Sequence, residues 1–172
     1  MIRIINENDY SAVEALTISS FSETEFGYQQ EADLIKKIRK DPSYKSELEL
    51  VDEIDGKIVG HGLLSECLIK NENDSWKGLA LAPLSVLPSY QNKKIGTNLM
   101  LALEKQSLIA DYPFIVILGH PTFYKRFGYL LASKWEIFPP FEVPEEFFMI
   151  KELRKNILQE ISGEVAYLKA FE

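Results

Sequence analysis

A single cysteine, Cys67, leaves no partner for an intrachain disulfide, and with only two histidines the chain shows no sign of a zinc cluster or a secreted, disulfide-stapled scaffold. No apolar run approaches the length that spans a bilayer, and residues 1–10 mix polar and apolar types in a way that a signal peptide does not. Positive charge is also in short supply. Lys and Arg number 19 against 26 Asp and Glu, and the net charge of −7 argues against general nucleic-acid binding or docking on an acidic membrane, since both need a basic footprint. Repeats, low-complexity tracts and a second domain boundary are missing as well. What remains is expected to be a cytoplasmic protein forming one domain over 1–172, with enough hydrophobic residues, 46%, to bury a core.

The chain is organised around residues 79–97, LALAPLSVLPSYQNKKIGT. A continuous apolar run passes through Pro88, crosses the polar loop Gln91-Asn92-Lys93-Lys94-Ile95-Gly96-Thr97, and enters an apolar-periodic segment that ends near Ala110. The pattern is a buried strand delivering a basic, glycine-containing turn to a helix N-terminus. The first backbone N–H groups of a helix have no intrahelical partner, and the helix dipole adds positive potential there. A phosphate or pyrophosphate suits that position. Lys93 and Lys94 add full charge where the dipole mildly disfavours it, which an anionic ligand would explain better than chance exposure. Two familiar phosphate loops are excluded: neither Gly-x-x-x-x-Gly-Lys-Ser/Thr nor Gly-x-Gly-x-x-Gly occurs.

The stretch resembles the acyl-CoA loop of the GCN5-related N-acetyltransferase (GNAT) superfamily, Gln/Arg-x-x-Gly-x-Gly/Ala after a strand rich in Leu and Val. Gln91, Gly96 and the preceding Leu84-Ser85-Val86-Leu87-Pro88 match, whereas Lys94 stands where the first glycine would be. Downstream, Phe123-Tyr124-Lys125-Arg126-Phe127-Gly128-Tyr129 is similar to the superfamily's Tyr-x-x-x-Gly-Phe/Tyr segment. Leu118-Gly119-His120-Pro121 and Pro140-Phe141-Glu142-Val143-Pro144 further resemble the YhbS-like branch. The resemblance implies an α/β (α+β) fold, with a mixed, mostly antiparallel central sheet flanked by helices and with splayed fourth and fifth strands. It also implies transfer of an acetyl or acyl group from acetyl-CoA to a primary amine by direct attack, without a metal. Backbone N–H groups of Asn92, Lys93, Lys94, Ile95, Gly96 and Thr97 would hold the pyrophosphate, and Leu84, Ser85 and Val86 would hold the pantetheine arm. Many relatives dimerise, so a homodimer is open.

In chain order, residues 2–4 alternate as a short strand before a helix from about Tyr10, capped by Asp9 or by a Ser11/Glu14 box. Residues 19–30 are polar with Phe21, Phe26 and Tyr28 interspersed, and either form a mobile, substrate-shaping loop or are packed down by those aromatics. Helix 31–40 stops at Asp41-Pro42, and Asp55-Gly56 marks a hairpin between two strands. Pro83, inside the fourth strand at 76–87, predicts a bulge or splay. Residues 114–118 read as a buried parallel strand. Thr122 is placed to cap a short helix ended by Gly128 in a C′ position. A strand over 129–138 and a last strand over 146–153 follow, with 139–172 taken as C-terminal strand plus branch-specific extension.

Direct attack needs an acid for the departing thiolate and a free amine, but no enzyme nucleophile, so Cys67 reads as a small buried hydrophobe. Tyr124 matches the tyrosine that often serves as acid in this superfamily, and a phenol is protonated at neutral pH. Its other reading is a ring that packs and hydrogen-bonds the CoA. His120, at the end of the fifth strand, is the candidate base; His61, Glu66, Glu23 and Glu25 are further from that assignment. Because no base stands out, a non-catalytic acyl-CoA-binding or regulatory module of the same fold is the competing class.

Overall fold

The computed structural model describes residues 1–25 and 27–172. Phe26, one of the aromatics singled out above, lies outside the described residues. The strands are β1 (Ile2–Ile4), β2 (Glu49–Ile54), β3 (Lys57–Lys70), β4 (Ser75–Val86), β5 (Phe114–Leu118), β6 (Leu130–Leu131), β7 (Ile137–Phe138), β8 (Phe148–Glu152) and β9 (Gly163–Ala166). The helices are α1 (Tyr10–Ser22), α2 (Glu31–Arg39), α3 (Ile95–Ile109) and the single turn α4 (Pro121–Tyr124). The chain divides into two compact units, one made of 1–65 with 82–106 and the other of 66–81 with 107–172.

In the first unit, β1, β2 and β3 form an antiparallel meander. Asp55 and Gly56 turn the β2–β3 hairpin with φ of 49° and 75°, the pair of positive angles that a two-residue primed turn requires. β4 lies beside β3: Leu87 N–H donates to the Val59 carbonyl at 2.9 Å. The entry to α1 is fixed earlier than expected. Asp9 holds the cap position of α1, as one of the two expectations has it, but without a side-chain bond to the helix; Asn6 caps the short 3-10 turn that leads in, and Asn6 and Asp9 make the reciprocal box there. The helix then continues through Ser22, so the first four residues of the expected loop are helical and bury Ser20. α2 turns Ala32, Ile35 and Ile38 inward at helical spacing. α3 packs onto β3 through two glycines. A Cβ at Gly60 would stand 2.7 Å from Ile95 Cγ2, and one at Gly62 would stand 2.7 Å from Leu103 Cδ1. That close approach fixes the position of the N-terminal turn of α3.

In the second unit, the first half of β4 pairs parallel to β5 from Leu79↔Ile115 to Leu81↔Ile117. Beyond that short ladder β4 passes through a cis Ala82–Pro83 peptide. β5 pairs antiparallel to β8, and β8 to β6. The expected strand over 129–138 is broken into β6 and β7, because residues 132–135 wind into a 3-10 turn closed by Glu136 at φ 56°. That turn buries Ala132 while Ile137 re-enters the sheet. The C-terminal extension has a clear structural part: β9 pairs with the end of β3, Leu68↔Ala166 through Lys70↔Glu164, and with β7. Leu158, Ile161 and Val165 thereby join Cys67, Ile69, Phe114 and Phe148 in one buried cluster. The fold is the mixed, mostly antiparallel sheet with flanking helices that the resemblance implies.

Candidate acyl-transfer site

The loop between β4 and α3 belongs to the first unit. Leu84 and Val86 are half-buried and Ser85 is buried, in keeping with strand alternation. The Val86 carbonyl accepts from Ser20 Oγ at 3.2 Å and from the Gln91 side-chain amide at 3.3 Å. Gln91 thus ties the loop back to the strand that delivers it. Pro88 opens a 3-10 turn through Tyr90, and the chain then takes left-handed backbone at Asn92, φ 62°, and at Lys94, φ 64°. The Asn98 N–H closes the first α-helical bond onto the Lys94 carbonyl at 2.9 Å. The amides of Ile95, Gly96 and Thr97 precede that bond, at the positive end of the helix dipole.

Lys94 is the informative residue. It departs from the glycine of the motif yet adopts the conformation for which glycine is chosen, at a cost of about 1–2 kcal/mol for an L-residue. At this one residue the left-handed backbone that a glycine would allow is present. Gln91, Asn92, Lys93 and Lys94 are all exposed, and the Lys93 ammonium stands 5.0 Å from the centre of the Tyr90 ring.

The second unit carries the candidate acid and base. Thr122 is not the cap of the turn: His120 holds that position with Pro121 following, and its carbonyl accepts from the amides of Phe123 and Tyr124. Gly128 does close the segment, at φ 90°. The Tyr124 ring lies against the main chain of Gly119, where a Cβ would come within 2.4 Å of its Cε2, and meets Phe123 edge-on at 4.9 Å. Burial pushes the Tyr124 phenol well above its ordinary value, so the group stays protonated at neutral pH and has a hydrogen to donate. His120 is exposed and sits on the same turn as Tyr124, its ring 6.3 Å from that of Phe147.

The other residues considered from sequence have settled environments. Glu66 accepts from Tyr112 Oη at 2.6 Å and faces Lys77 at 3.6 Å. Cys67 is buried, and burial raises its thiol far above the usual range. Glu23 and Glu25 are exposed. Among the described residues no cluster of His, Cys, Asp and Glu is arranged to hold a metal ion.

What the sequence did not reveal is a buried ionic cluster in the first unit. Glu49, fully buried at the start of β2, accepts from Arg39 at 2.5–3.2 Å, from Tyr44 Oη at 2.6 Å and from His61 Nε2 at 2.7 Å. Arg39 in turn stacks on the Tyr10 ring at 3.7 Å. Burial alone would raise the Glu49 carboxyl, but the bonds from His61 and Arg39, with their charges, outweigh it and bring it to about 2. The one local signal was an acidic residue inside the apolar run Leu48-Glu49-Leu50-Val51.

Sequence and structural comparisons bear on this geometry. The model of the acetyltransferase (GNAT) domain matches residues 46–130. The uncharacterized N-acetyltransferase YjhQ of Escherichia coli is 34% identical over 122 residues, covering 70% of this chain and 67% of that protein. The chain belongs to the GNAT acetyltransferase family. A second GNAT relative, the uncharacterized N-acetyltransferase YhbS of E. coli, is 26% identical over 171 residues, 99% of this chain and 98% of its own. The crystal structure of E. coli YhbS in complex with CoA superposes with a TM-score of 0.87 over 99% of this chain and 91% of that one, at 26% identity. A GNAT family acetyltransferase from Brucella melitensis, in complex with acetyl-CoA, gives 0.78 over 100% and 97%, also at 26% identity.

Proposed function

We infer that this GNAT acetyltransferase uses acetyl-CoA to acylate a primary amine by direct attack, acting over 1–172 as one acetyltransferase domain in the cytoplasm. The observation that carries the reading is Lys94 held at φ 64°, which keeps the loop before α3 in a glycine-type conformation although glycine is absent. Sequence drift would relax that strain unless the loop were needed as it is. Backbone N–H groups of Asn92, Lys93, Lys94, Ile95, Gly96 and Thr97 then hold the pyrophosphate, with Lys93 adding charge and Gln91 bracing the loop from below. The main chain of Leu84, Ser85 and Val86 supports the pantetheine arm. The Val86 carbonyl is already taken by Ser20 and Gln91, so its share of that support comes from its N–H.

The amine attacks the thioester carbon, the carbon–sulfur bond opens, and the thiolate takes a proton from Tyr124, which burial keeps protonated at neutral pH. His120 is the candidate to deprotonate an incoming ammonium before attack, being exposed to it. Calorimetric titration with acetyl-CoA tests the reading, with desulfo-CoA and adenosine diphosphate as controls. Saturable binding near one per chain is expected, and no binding at millimolar ligand would refute it.

A further inference from the structure

Residues 135–147, which lead through β7 toward β8, hold four glutamates and four aromatic residues but no Lys or Arg. Phe138 and Phe141 are 50% and 45% exposed, leaving in water apolar surface that folding ordinarily removes. Phe141 is not isolated there. Its ring stacks on that of Tyr167 at 6.0 Å with 16° between the planes, and Tyr167 meets Phe171 at 4.9 Å. Tyr167 follows β9 directly and packs on the buried cluster of the second unit, which gives the stack a fixed base. Pro139, Pro140 and Pro144 restrict the backbone on either side of Phe141. Rings held in this way lose little freedom when something binds them.

The charge around the stack has one sign. Residues 135–147 and 163–172 together carry six glutamates against one basic residue, Lys169. Glu145 accepts from Ser133 Oγ, whereas Glu142 and Glu146 are exposed and neither is neutralised by an ion pair among the described residues. The same segment ends beside the candidate base: the Phe147 carbonyl accepts from the Gly119 N–H at 2.9 Å, and the Phe147 ring stands 6.3 Å from that of His120. All of these groups belong to the second unit. Aromatic faces are the negative part of the ring's charge distribution, and carboxylates beside them add full negative charge. An alkylammonium complements both, with its methylenes against the rings and its cation between ring face and carboxylate.

We propose that the Phe141, Tyr167 and Phe171 stack with Glu142 is an acceptor subsite, and that the amine acylated is an aliphatic polyamine, which seats a second ammonium there while its reacting end meets His120. The inference rests on the acyl-CoA reading above and narrows its primary amine to one that carries a further cation. The bonds made and broken are those of that reading: nitrogen gains the acyl carbon and gives up one proton, and sulfur loses the carbon and gains one. The remote ammonium takes no part in them and supplies binding and selection.

The test follows thiol release by the intact protein with acetyl-CoA and three amines: spermidine, butylamine and benzylamine. Spermidine should have a kcat/KM about tenfold or more above either monocation, with an advantage that shrinks as salt is raised. Glu142→Lys and Phe141→Ser alter exposed positions, and each should bring the preference for spermidine down to about twofold or less, chiefly through KM. Equal kcat/KM for spermidine and butylamine overturns the proposal, as does a preference for spermidine that survives both variants. Sedimentation is run alongside: a dimer that Phe141→Ser dissociates with the amine preference intact gives the patch to a second copy and also overturns it. Thiol release with none of the amines brings down the acyl-transfer reading instead. Calorimetric titration with spermidine alone then decides the subsite, since binding weakened by Glu142→Lys upholds it and no binding refutes it.

Discussion

Lys94 offers a way to separate what backbone and charge each contribute to holding a pyrophosphate. At φ 64° the residue occupies a region that costs an L-side chain about 1–2 kcal/mol and glycine almost nothing. Lys94→Gly keeps that conformation and removes one exposed cation. A solvated charge next to a phosphate contributes about 0.5–1 kcal/mol, so acetyl-CoA affinity should fall only about two- to fivefold. Lys94→Ile removes the same charge but puts a β-branched residue where left-handed backbone is least tolerated. The loop must then either carry added strain or leave the conformation that aims its amides, so affinity should fall at least tenfold below that of Lys94→Gly. Lys94→Glu keeps the backbone tolerance of a linear side chain but inverts the charge, and its deficit should shrink as salt is raised, whereas that of Lys94→Ile should not. Calorimetric titration of the four proteins with acetyl-CoA at low and high salt reads all of this. Equal affinities for the Gly and Ile variants would refute the argument that the backbone conformation at this position holds the ligand.

Other expectations follow from geometry already described. Tyr124→Phe should reduce turnover by at least tenfold while leaving the dissociation constant of acetyl-CoA within about twofold, measured by thiol release and calorimetry; an unaltered rate would remove the acid assignment. Arg39→Ala leaves the buried Glu49 carboxylate short of its cationic partner and should cost about 3–5 kcal/mol in urea unfolding. Because the folded Glu49 carboxyl lies at about 2, below its ordinary 4.5, its stabilisation is present in full above that ordinary value and is lost as pH falls toward 2. Glu49→Gln should flatten this part of the acid-unfolding curve. Gly78→Ala would set a methyl 2.2–2.5 Å from ring atoms of Phe114, and overpacking of that kind should cost about 1–3 kcal/mol by the same unfolding assay.

The parts of this protein that were legible in sequence are those in which neighbours in the chain act together. The apolar run before Pro88, the basic turn and the periodic helix after it are one local unit, and the structure places them as read. The hairpin at Asp55-Gly56 and the β5 strand at Phe114–Leu118 are similarly self-contained. The Glu49 cluster was hidden because its members come from α2, the following loop, β2 and β3, and only folding brings them together. Residues 129–138 misled for a different reason. Their apolar content suits a strand, but Glu136 takes left-handed backbone and splits the segment, a choice that depends on burying Ala132 and Ile137 at once. Lys94 shows a limit of motif reading as well: the side chain differs from the pattern, while its backbone takes the left-handed conformation that glycine favours.

The pairing of β9 with the end of β3 also bears on how the protein is made. The residues that cover Cys67 and Ile69, among them Leu158, Ile161 and Val165, are synthesised well after the strand they protect. While translation proceeds, the end of β3 presents unpaired main-chain groups and uncovered apolar side chains to the surroundings, the combination through which nascent chains find wrong partners. Slowing elongation between the end of β3 and β9 should therefore prolong that exposure and increase co-translational aggregation and chaperone association.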